Sequence, residues 1–291
     1  MLNATFYLST VLIWGSTWLA IKYQLGSVAP IWSIAYRFAL ASFILLIWCL
    51  VTRRPMRFSM KEHLYMALQG ILLFAVNYYF FYLAEIRITS GLAAVVFSTI
   101  VVMNLVNGRI FLGTPMDARV LVGGILGLFG LSLLFWPEMA AVNFSGPILS
   151  GLLLSFAATY LASLGNILSA RNQSNHLPVL QTNTFGMAYG TCCMVLLGSL
   201  TGTPVSIAGT APYLLSLVYL AFFGSVIAFG CYLTLIGRIG AGRAAYATLL
   251  FPIVALLLST IWENYHWTLF GMFGMGLILF GNYLALVRKR G

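Results

Sequence analysis

Long apolar runs, separated by short polar stretches, dominate the chain. The hydrocarbon core of a bilayer requires about 20 apolar residues per helix, and about ten runs in the sequence approach that length. The runs predict helices at residues 5–21, 31–51, 63–84, 89–112, 119–136, 146–170, 178–200, 212–236, 242–262 and 266–287. Runs such as 120–135 do not alternate between polar and apolar residues, as the strands of a transmembrane barrel do. We therefore predict an all-α membrane protein with ten transmembrane helices.

Polar side chains interrupt the third run, where residues 76–82 read VNYYFFY. A polar side chain in hydrocarbon has no water to bond, so it tends to face the bundle interior or a wet cavity. Tyr78 and Tyr82 lie one helical turn apart, and Asn77 borders their face. A phenol offers both a ring for stacking and a hydroxyl, which suits an aromatic and polar ligand. An interfacial aromatic belt is the alternative interpretation for Tyr82.

Other helices carry polar and aromatic residues at helical spacing. Residues 155, 159, 163 and 166 form one polar stripe along the sixth helix, because they step by four, four and three. Single hydroxyls can also join helices or bond back to their own helix, so the whole stripe is the better indicator of a cavity. The candidate substrate-binding residues in these helices are Trp14, Thr17, Trp18, Ser155, Thr159, Ser163, Asn166, Phe185 and Tyr246.

Arg37 is the one charge well inside a predicted span. Placing an arginine at a helix centre in the bilayer costs about 2.5–3.5 kcal/mol, so some compensation is expected. The side chain could snorkel to the interface, or it could pair with a substrate carboxylate through its bidentate donors. The carboxylates are expected at span ends or in loops, away from membrane depth; they belong to Glu62, Glu85, Asp117, Glu138 and Glu263. This placement argues against cationic cargo and against a buried proton relay.

Composition agrees with a membrane protein. Of the 291 residues 61% are hydrophobic and 7% charged, whereas soluble domains are about 25% charged. The net charge of +10 does not indicate nucleic-acid binding, because most of the fifteen Lys and Arg fall in loops and a tail on one side of the predicted topology. The positive-inside rule then places both termini in the cytoplasm and the protein in the inner or plasma membrane. The four cysteines lie in apolar spans without metal-ligand spacing, so no metal or cofactor is expected.

An internal repeat is visible when the sequence is shifted by 151 residues. Arg87 and Gly91 then fall on Arg238 and Gly242. We predict two five-helix repeats, at 1–141 and 142–291, of opposite orientation because five is odd, with a central cavity near the bilayer midplane between them. Chance coincidence of membrane glycines is the alternative. Glycine-rich runs at 123–130 and 271–276 predict close helix packing within a monomer, or a homodimer contact.

Several short motifs resemble those of a known family. They are Trp14-Gly15-Ser16-Thr17, Pro30 followed by Arg37-Phe38, Gly91-Leu92-Ala93-Ala94, Phe111-Leu112-Gly113, Phe251-Pro252 and Glu263. With these motifs the chain resembles EamA-type members of the drug/metabolite transporter superfamily, and among them the YddG-like aromatic amino-acid exporters. Thr114 departs from the pattern, because the family usually has Glu there. The resemblance implies a ten-helix basket whose central cavity opens alternately to the two membrane faces, and it implies export.

These observations favour a carrier over other classes. We expect small zwitterions, most of all amino acids including aromatic ones, because rings and amides accompany one arginine. Efflux of drug-like compounds or other metabolites through the same aromatic cavity is the alternative. An enzyme is not expected, because the sequence has no His-Glu-x-x-His or Gly-x-Ser-x-Gly motif. The expected partners are a small-molecule substrate and the lipid bilayer.

Overall fold

The computed structural model describes residues 2–24, 26, 28–140, 146–262 and 266–286, without the side chains of Trp18, Leu19, Lys22, Glu138, Ser259 and Trp262. The main helices are α1 (Leu2–Lys22), α2 (Pro30–Val51), α3 (Met60–Glu85), α4 (Ser90–Leu112), α5 (Ala118–Leu134), α6 (Gly146–Ser174), α7 (Val179–Leu200), α8 (Ala211–Ile239), α9 (Ala247–Trp262) and α10 (Leu269–Leu286). Short helices occupy Trp136–Ala140 and Ala241–Ala244. The described residues contain no strand, so the all-helical prediction is confirmed for them.

Within the described ranges, seven helical segments are long and apolar enough to cross a membrane. They are α2, α3, α4, α6, α8, α10 and the segment Ala241–Leu258, and α5 is a shorter apolar helix. Large apolar side chains such as Phe43, Trp48 and Phe273 are exposed on the outside of the bundle. A surface of this kind fits lipid rather than water. The chain is therefore a multi-pass membrane protein, while the count of ten spans stays a prediction.

Local sequence signals explain where several helices begin and end. Pro30 stands in the first turn of α2, where its missing N–H costs no hydrogen bond. Ser59 and Glu62 form a capping box at the start of α3, each side chain accepting the other residue's backbone N–H. Gly113 ends α4 with φ of 66°, a left-handed conformation that glycine adopts without strain.

Glycines allow α5 and α10 to pack in close backbone contact. A Cβ added at Gly130 would lie 2.6 Å from the carbonyl oxygen of Gly274, and one added at Gly281 would lie 2.5 Å from that of Gly123. Real Cβ atoms essentially never come this close to backbone. Both glycine-rich runs therefore serve a contact within the chain, as close helix packing predicts.

Two helices contain a π-helical segment. One runs from Ile71 to Val76 within α3 and the other from Leu220 to Ile227 within α8. Such wide turns are rare and often lie at functional sites. Here the segment of α8 faces α1 and α2, because a Cβ added at Gly224 would lie 3.1 Å from both the Arg37 guanidinium and the Thr17 side chain.

Candidate functional site

A cavity lies between α1, α2, α3, α4, α6, α8 and α9. Its volume is about 130 Å³, which is enough for several waters or a small solute. Its aromatic lining consists of Trp14, Tyr78, Phe81, Tyr82, Phe97, Phe229, Tyr232 and Phe251. Its polar lining consists of Thr17, Arg37, Asn77, Glu85, Asn166 and Thr248. The cavity thus combines rings with a small number of polar groups, as ligand sites commonly do.

The Arg37 side chain points into the bundle. It is 3% exposed, and its Nε donates to the Ser225 hydroxyl at 2.9 Å. Its Cζ atom lies 5.0 Å from the ring centroid of Tyr78 and 5.3 Å from that of Phe38. Cation–π contact with two rings offsets part of the cost of burying the charge. Snorkelling does not describe this conformation, because the guanidinium contacts α8 and the cavity rather than the surface.

No carboxylate that the structure describes neutralises this guanidinium. The one ion pair between described residues joins Arg243 to Asp117, far from Arg37 along the chain. A guanidinium has five N–H donors; the Ser225 hydroxyl accepts from Nε, and the Tyr78 hydroxyl also forms a hydrogen bond with the group. Arg37 therefore presents a cationic group with spare donors to the cavity, which is the chemistry that binds a carboxylate.

α3 supplies one continuous face of the cavity. Tyr78, Tyr82 and Glu85 are spaced by four and three residues on the regular helix that follows the π-helical segment. Tyr82 is 6% exposed, so it lies inside the bundle rather than on its lipid-facing surface. Asn77 also lines the cavity, and its Oδ1 atom is buried without a hydrogen-bond partner among the described residues.

The π-helical segment of α8 provides acceptors for groups around the cavity. Trp14 donates its Nε1–H to the Gly224 carbonyl at 3.2 Å. The Trp14 ring also packs on Phe229 and Tyr232, with centroid distances of 5.1 and 4.9 Å. The segment therefore positions both Trp14 and Arg37.

A thin polar layer closes the other end of the cavity. Asn166 donates its Nδ2 hydrogens to the Tyr232 hydroxyl at 3.1 Å and to Asn104 Oδ1 at 3.5 Å. Asn166 and Tyr232 line the first cavity, whereas Asn104 lines a second one of about 740 Å³. The two cavities are thus separated at this point by a single layer of side chains.

The second cavity is bordered by an ion pair. Asp117 precedes α5, and its Oδ2 accepts a hydrogen bond from the Arg243 guanidinium at 2.7 Å. Burial alone raises the pKa of Asp117, but hydrogen bonds from the Arg119 backbone N–H and from Arg243 outweigh it. The pKa of Asp117 therefore lies below its ordinary value.

The structure brings together part of the predicted site. Seven of the candidates line the cavity, namely Trp14, Thr17, Arg37, Asn77, Tyr78, Tyr82 and Asn166. The side chain of Trp18 lies outside what the structure describes, as does the whole of Glu263.

The upper part of the α6 stripe does not reach the cavity, contrary to expectation. Ser155, Thr159 and Ser163 are fully buried but absent from its lining. Thr159 donates to the Ser155 carbonyl at 2.7 Å, and Ser163 accepts a hydrogen bond from Asn107 at 2.9 Å. The Thr159 and Ser163 hydroxyls are thus occupied by a backbone and an interhelical bond, which is the alternative role that helical Ser and Thr often have. The Ser155 hydroxyl is buried without a hydrogen-bond partner among the described residues.

Phe185 and Tyr246 also lie elsewhere. Phe185 packs edge-on against His63 and Phe58 near the start of α3, with centroid distances of 4.7 and 5.8 Å. The buried Tyr246 hydroxyl donates to the Val120 carbonyl and so ties the start of α9 to α5. Both residues hold helices together and are absent from the cavity lining.

Sequence reasoning missed Glu85. We expected the acids at span ends or in loops, and Glu85 is indeed the last residue of α3, but it also lines the cavity. The spacing of seven residues from Tyr78 to Glu85 was the available signal, because it places both on one helical face. Phe229 and Tyr232 were missed as well, and their spacing of three carries the same signal.

Comparison with known proteins agrees with this architecture. The model of the EamA-like transporter family matches residues 2–136 and again 149–287. A solved protein crystal structure superposes with a TM-score of 0.79 over 98% of this chain and 96% of its own, at 18% identity, which shows a shared fold.

Three curated relatives are transporters or efflux pumps by name. The inner membrane transporter YedA of Escherichia coli K12 is 29% identical over 94% of this chain and 89% of its own. An Archaeoglobus fulgidus transporter is 27% identical over 97% of both chains. A protein of Escherichia coli K12 named "probable amino-acid metabolite efflux pump" is 24% identical over 97% of this chain and 94% of its own. Since the family model covers nearly the whole sequence, this chain belongs to the EamA-like transporter family.

Proposed function

We propose that this transporter carries small zwitterionic solutes, most of all amino acids including aromatic ones, and exports them. The observation that supports this most is Arg37, a buried cation with spare donors that no described carboxylate neutralises. A solute carboxylate meets that requirement, because carboxylate and guanidinium form paired, charge-assisted hydrogen bonds.

The rest of the lining favours cargo with an apolar or aromatic side chain. Rings from five helices face the cavity, among them Trp14, Phe97 and Phe229. Aromatic pairs contribute about 0.5–1.5 kcal/mol beyond the burial of their area, so a ring on the solute gains from this lining. The name of the Escherichia coli relative, an amino-acid metabolite efflux pump, supports the same class of cargo.

We further propose alternating access between two inverted five-helix halves, 1–141 and 142–291, with both termini cytoplasmic. When the sequence is shifted by 151 residues, positions 123 and 130 fall on positions 274 and 281. The observed pairs, Gly123 with Gly281 and Gly130 with Gly274, exchange under that shift, as expected of a two-fold relation between the halves. The shift also moves 71–76 to 222–227, inside the second π-helical segment.

The test is counterflow in proteoliposomes loaded with unlabelled amino acids. Saturable uptake of labelled phenylalanine is expected, with competition by other apolar amino acids. Tyr78→Ala should lower uptake by about tenfold at equal protein abundance, because it removes the ring against Arg37. Tyr160→Ala, a matched change at an exposed site on α6, should leave uptake unchanged. Movement of planar drugs without any amino acid would instead support the efflux alternative, which the aromatic lining also accommodates.

A further inference from the structure

Glu85 differs from the other acids whose surroundings the structure describes. Glu62 caps the start of its own helix, and Asp117 pairs with Arg243. Among the described residues, none forms a hydrogen bond or ion pair with the Glu85 carboxylate, which lines the cavity beside Tyr82. Two of the three acids thus have a structural role, and the third faces the site.

Arg37 of α2 contacts one end of the cavity-lining face of α3, and Glu85 lies at the other end of that face. Arg37 lies over the Tyr78 ring, and Glu85 follows seven residues later on the same face, about 10 Å along the helix axis. Tyr82 lies between them. An α-amino acid can span a gap of this order if each of its charged ends forms a charge-assisted hydrogen bond of about 2.8 Å.

We infer that Glu85 binds the ammonium group of the cargo while Arg37 binds its carboxylate. This inference rests on the proposed function and specifies it further: the cavity selects solutes that carry both charges. A zwitterion between Arg37 and Glu85 pairs both of the charged side chains that line the cavity. An acid without an amino group leaves Glu85 unpaired, and an amine without a carboxylate leaves Arg37 unpaired, so both are disfavoured.

The test compares three ligands of one shape in proteoliposomes: phenylalanine, 3-phenylpropanoate, which lacks the amino group, and phenethylamine, which lacks the carboxylate. Glu85→Gln should raise the half-saturating concentration of phenylalanine about tenfold or more. It should leave inhibition by 3-phenylpropanoate unchanged or stronger. Arg37→Gln should weaken both carboxylate ligands and spare phenethylamine.

The control is Glu62→Gln, the same change at an exposed position on the same helix, which should alter none of the three. If Glu85→Gln fails to fold, Glu85→Asp answers the same question. Its shorter carboxylate should raise the half-saturating concentration of phenylalanine and leave that of 3-phenylpropanoate alone.

The inference is overturned if Glu85→Gln binds phenylalanine like the wild type, or if it weakens phenylalanine and 3-phenylpropanoate equally. Either result leaves the proposed amino-acid transport standing. A wild-type protein that moves no amino acid has a different meaning, since it removes the proposed function itself.

Discussion

Arg37 on α2 and Ser225 on α8 are joined by a hydrogen bond of 2.9 Å between Nε and the hydroxyl oxygen. The bond fixes one edge of the guanidinium, and the Arg37 side chain also lines the cavity. Arg37 therefore has two roles, since it connects two helices and presents a charge to the cargo.

Arg37→Gln separates these roles because glutamine can still donate to a hydroxyl but carries no charge. A hydrogen bond to a charged group is worth about 1.5–3 kcal/mol, so amino-acid affinity should fall about 10- to 100-fold. Binding measured by counterflow at several concentrations checks this. Arg109→Gln, at an exposed arginine near the end of α4, is the matched control and should have no effect. Equal affinity in Arg37→Gln and wild type contradicts the assignment.

Asn166→Ala should connect the two cavities, because it removes the amide that bonds Tyr232 and Asn104. The measurement is labelling of Ala162→Cys, in the wall of the first cavity, by an impermeant thiol reagent applied from the side of the second. Native cysteines are first replaced by serine. Labelling of the introduced cysteine should be several-fold faster in the Asn166→Ala variant than in the protein that retains Asn166.

Asn107→Ala is the control for that experiment, since Asn107 bonds Ser163 and has no part in the layer. Unchanged labelling in Asn166→Ala would mean that apolar side chains, rather than the polar layer, separate the cavities.

Gly130→Ala tests the close contact of α5 and α10. The added Cβ would meet the Gly274 carbonyl oxygen at 2.6 Å, and overpacking of this kind costs about 1–3 kcal/mol. The melting temperature in detergent should fall clearly. Gly276→Ala on α10 meets nothing within 4 Å and should leave it unchanged or raise it. Similar melting of the two variants would show that the helices move apart without cost.

Asp117→Asn removes the ion pair with Arg243. Because the folded-state pKa of Asp117 is lowered, the pair stabilises the protein above the ordinary pKa of 3.8 and is lost as the pH falls through the lowered value. Asp117 is 39% exposed, so the effect at pH 7 should be below about 1 kcal/mol. Thermal melts should show a small loss at pH 7 that disappears in acid.

Arg243→Gln should reproduce that loss, and the double variant should add little to either single one. Fully additive losses would show that Asp117 and Arg243 stabilise the protein independently of each other.

The sequence was most informative where polar residues interrupt an apolar helix. Asn77, Tyr78 and Tyr82 were found in this way, because a buried amide or hydroxyl needs a partner that lipid does not provide. The same rule misplaced Ser155, Thr159 and Ser163. A hydroxyl can bond its own helix, and spacing alone does not distinguish that from a cavity wall.

Tertiary contacts that spacing does not encode account for the remaining differences. Tyr246 and Phe185 have the composition of a binding site, yet they hold α9 to α5 and the start of α3 to α7. Glu85 stands at the end of its helix, where an acid normally meets water, but the neighbouring helices extend the cavity to that level. Which residues face one another across the bundle depends on helix rotation, and one sequence does not fix that angle.

The wide turns of α3 and α8 each contain surplus backbone that a regular helix lacks. Wide turns of this kind are rare, often lie at functional sites and can kink a helix. In α8 this turn contacts both Trp14 and Arg37. Any movement of the Arg37 side chain on binding cargo would therefore act directly on the irregular turn of α8.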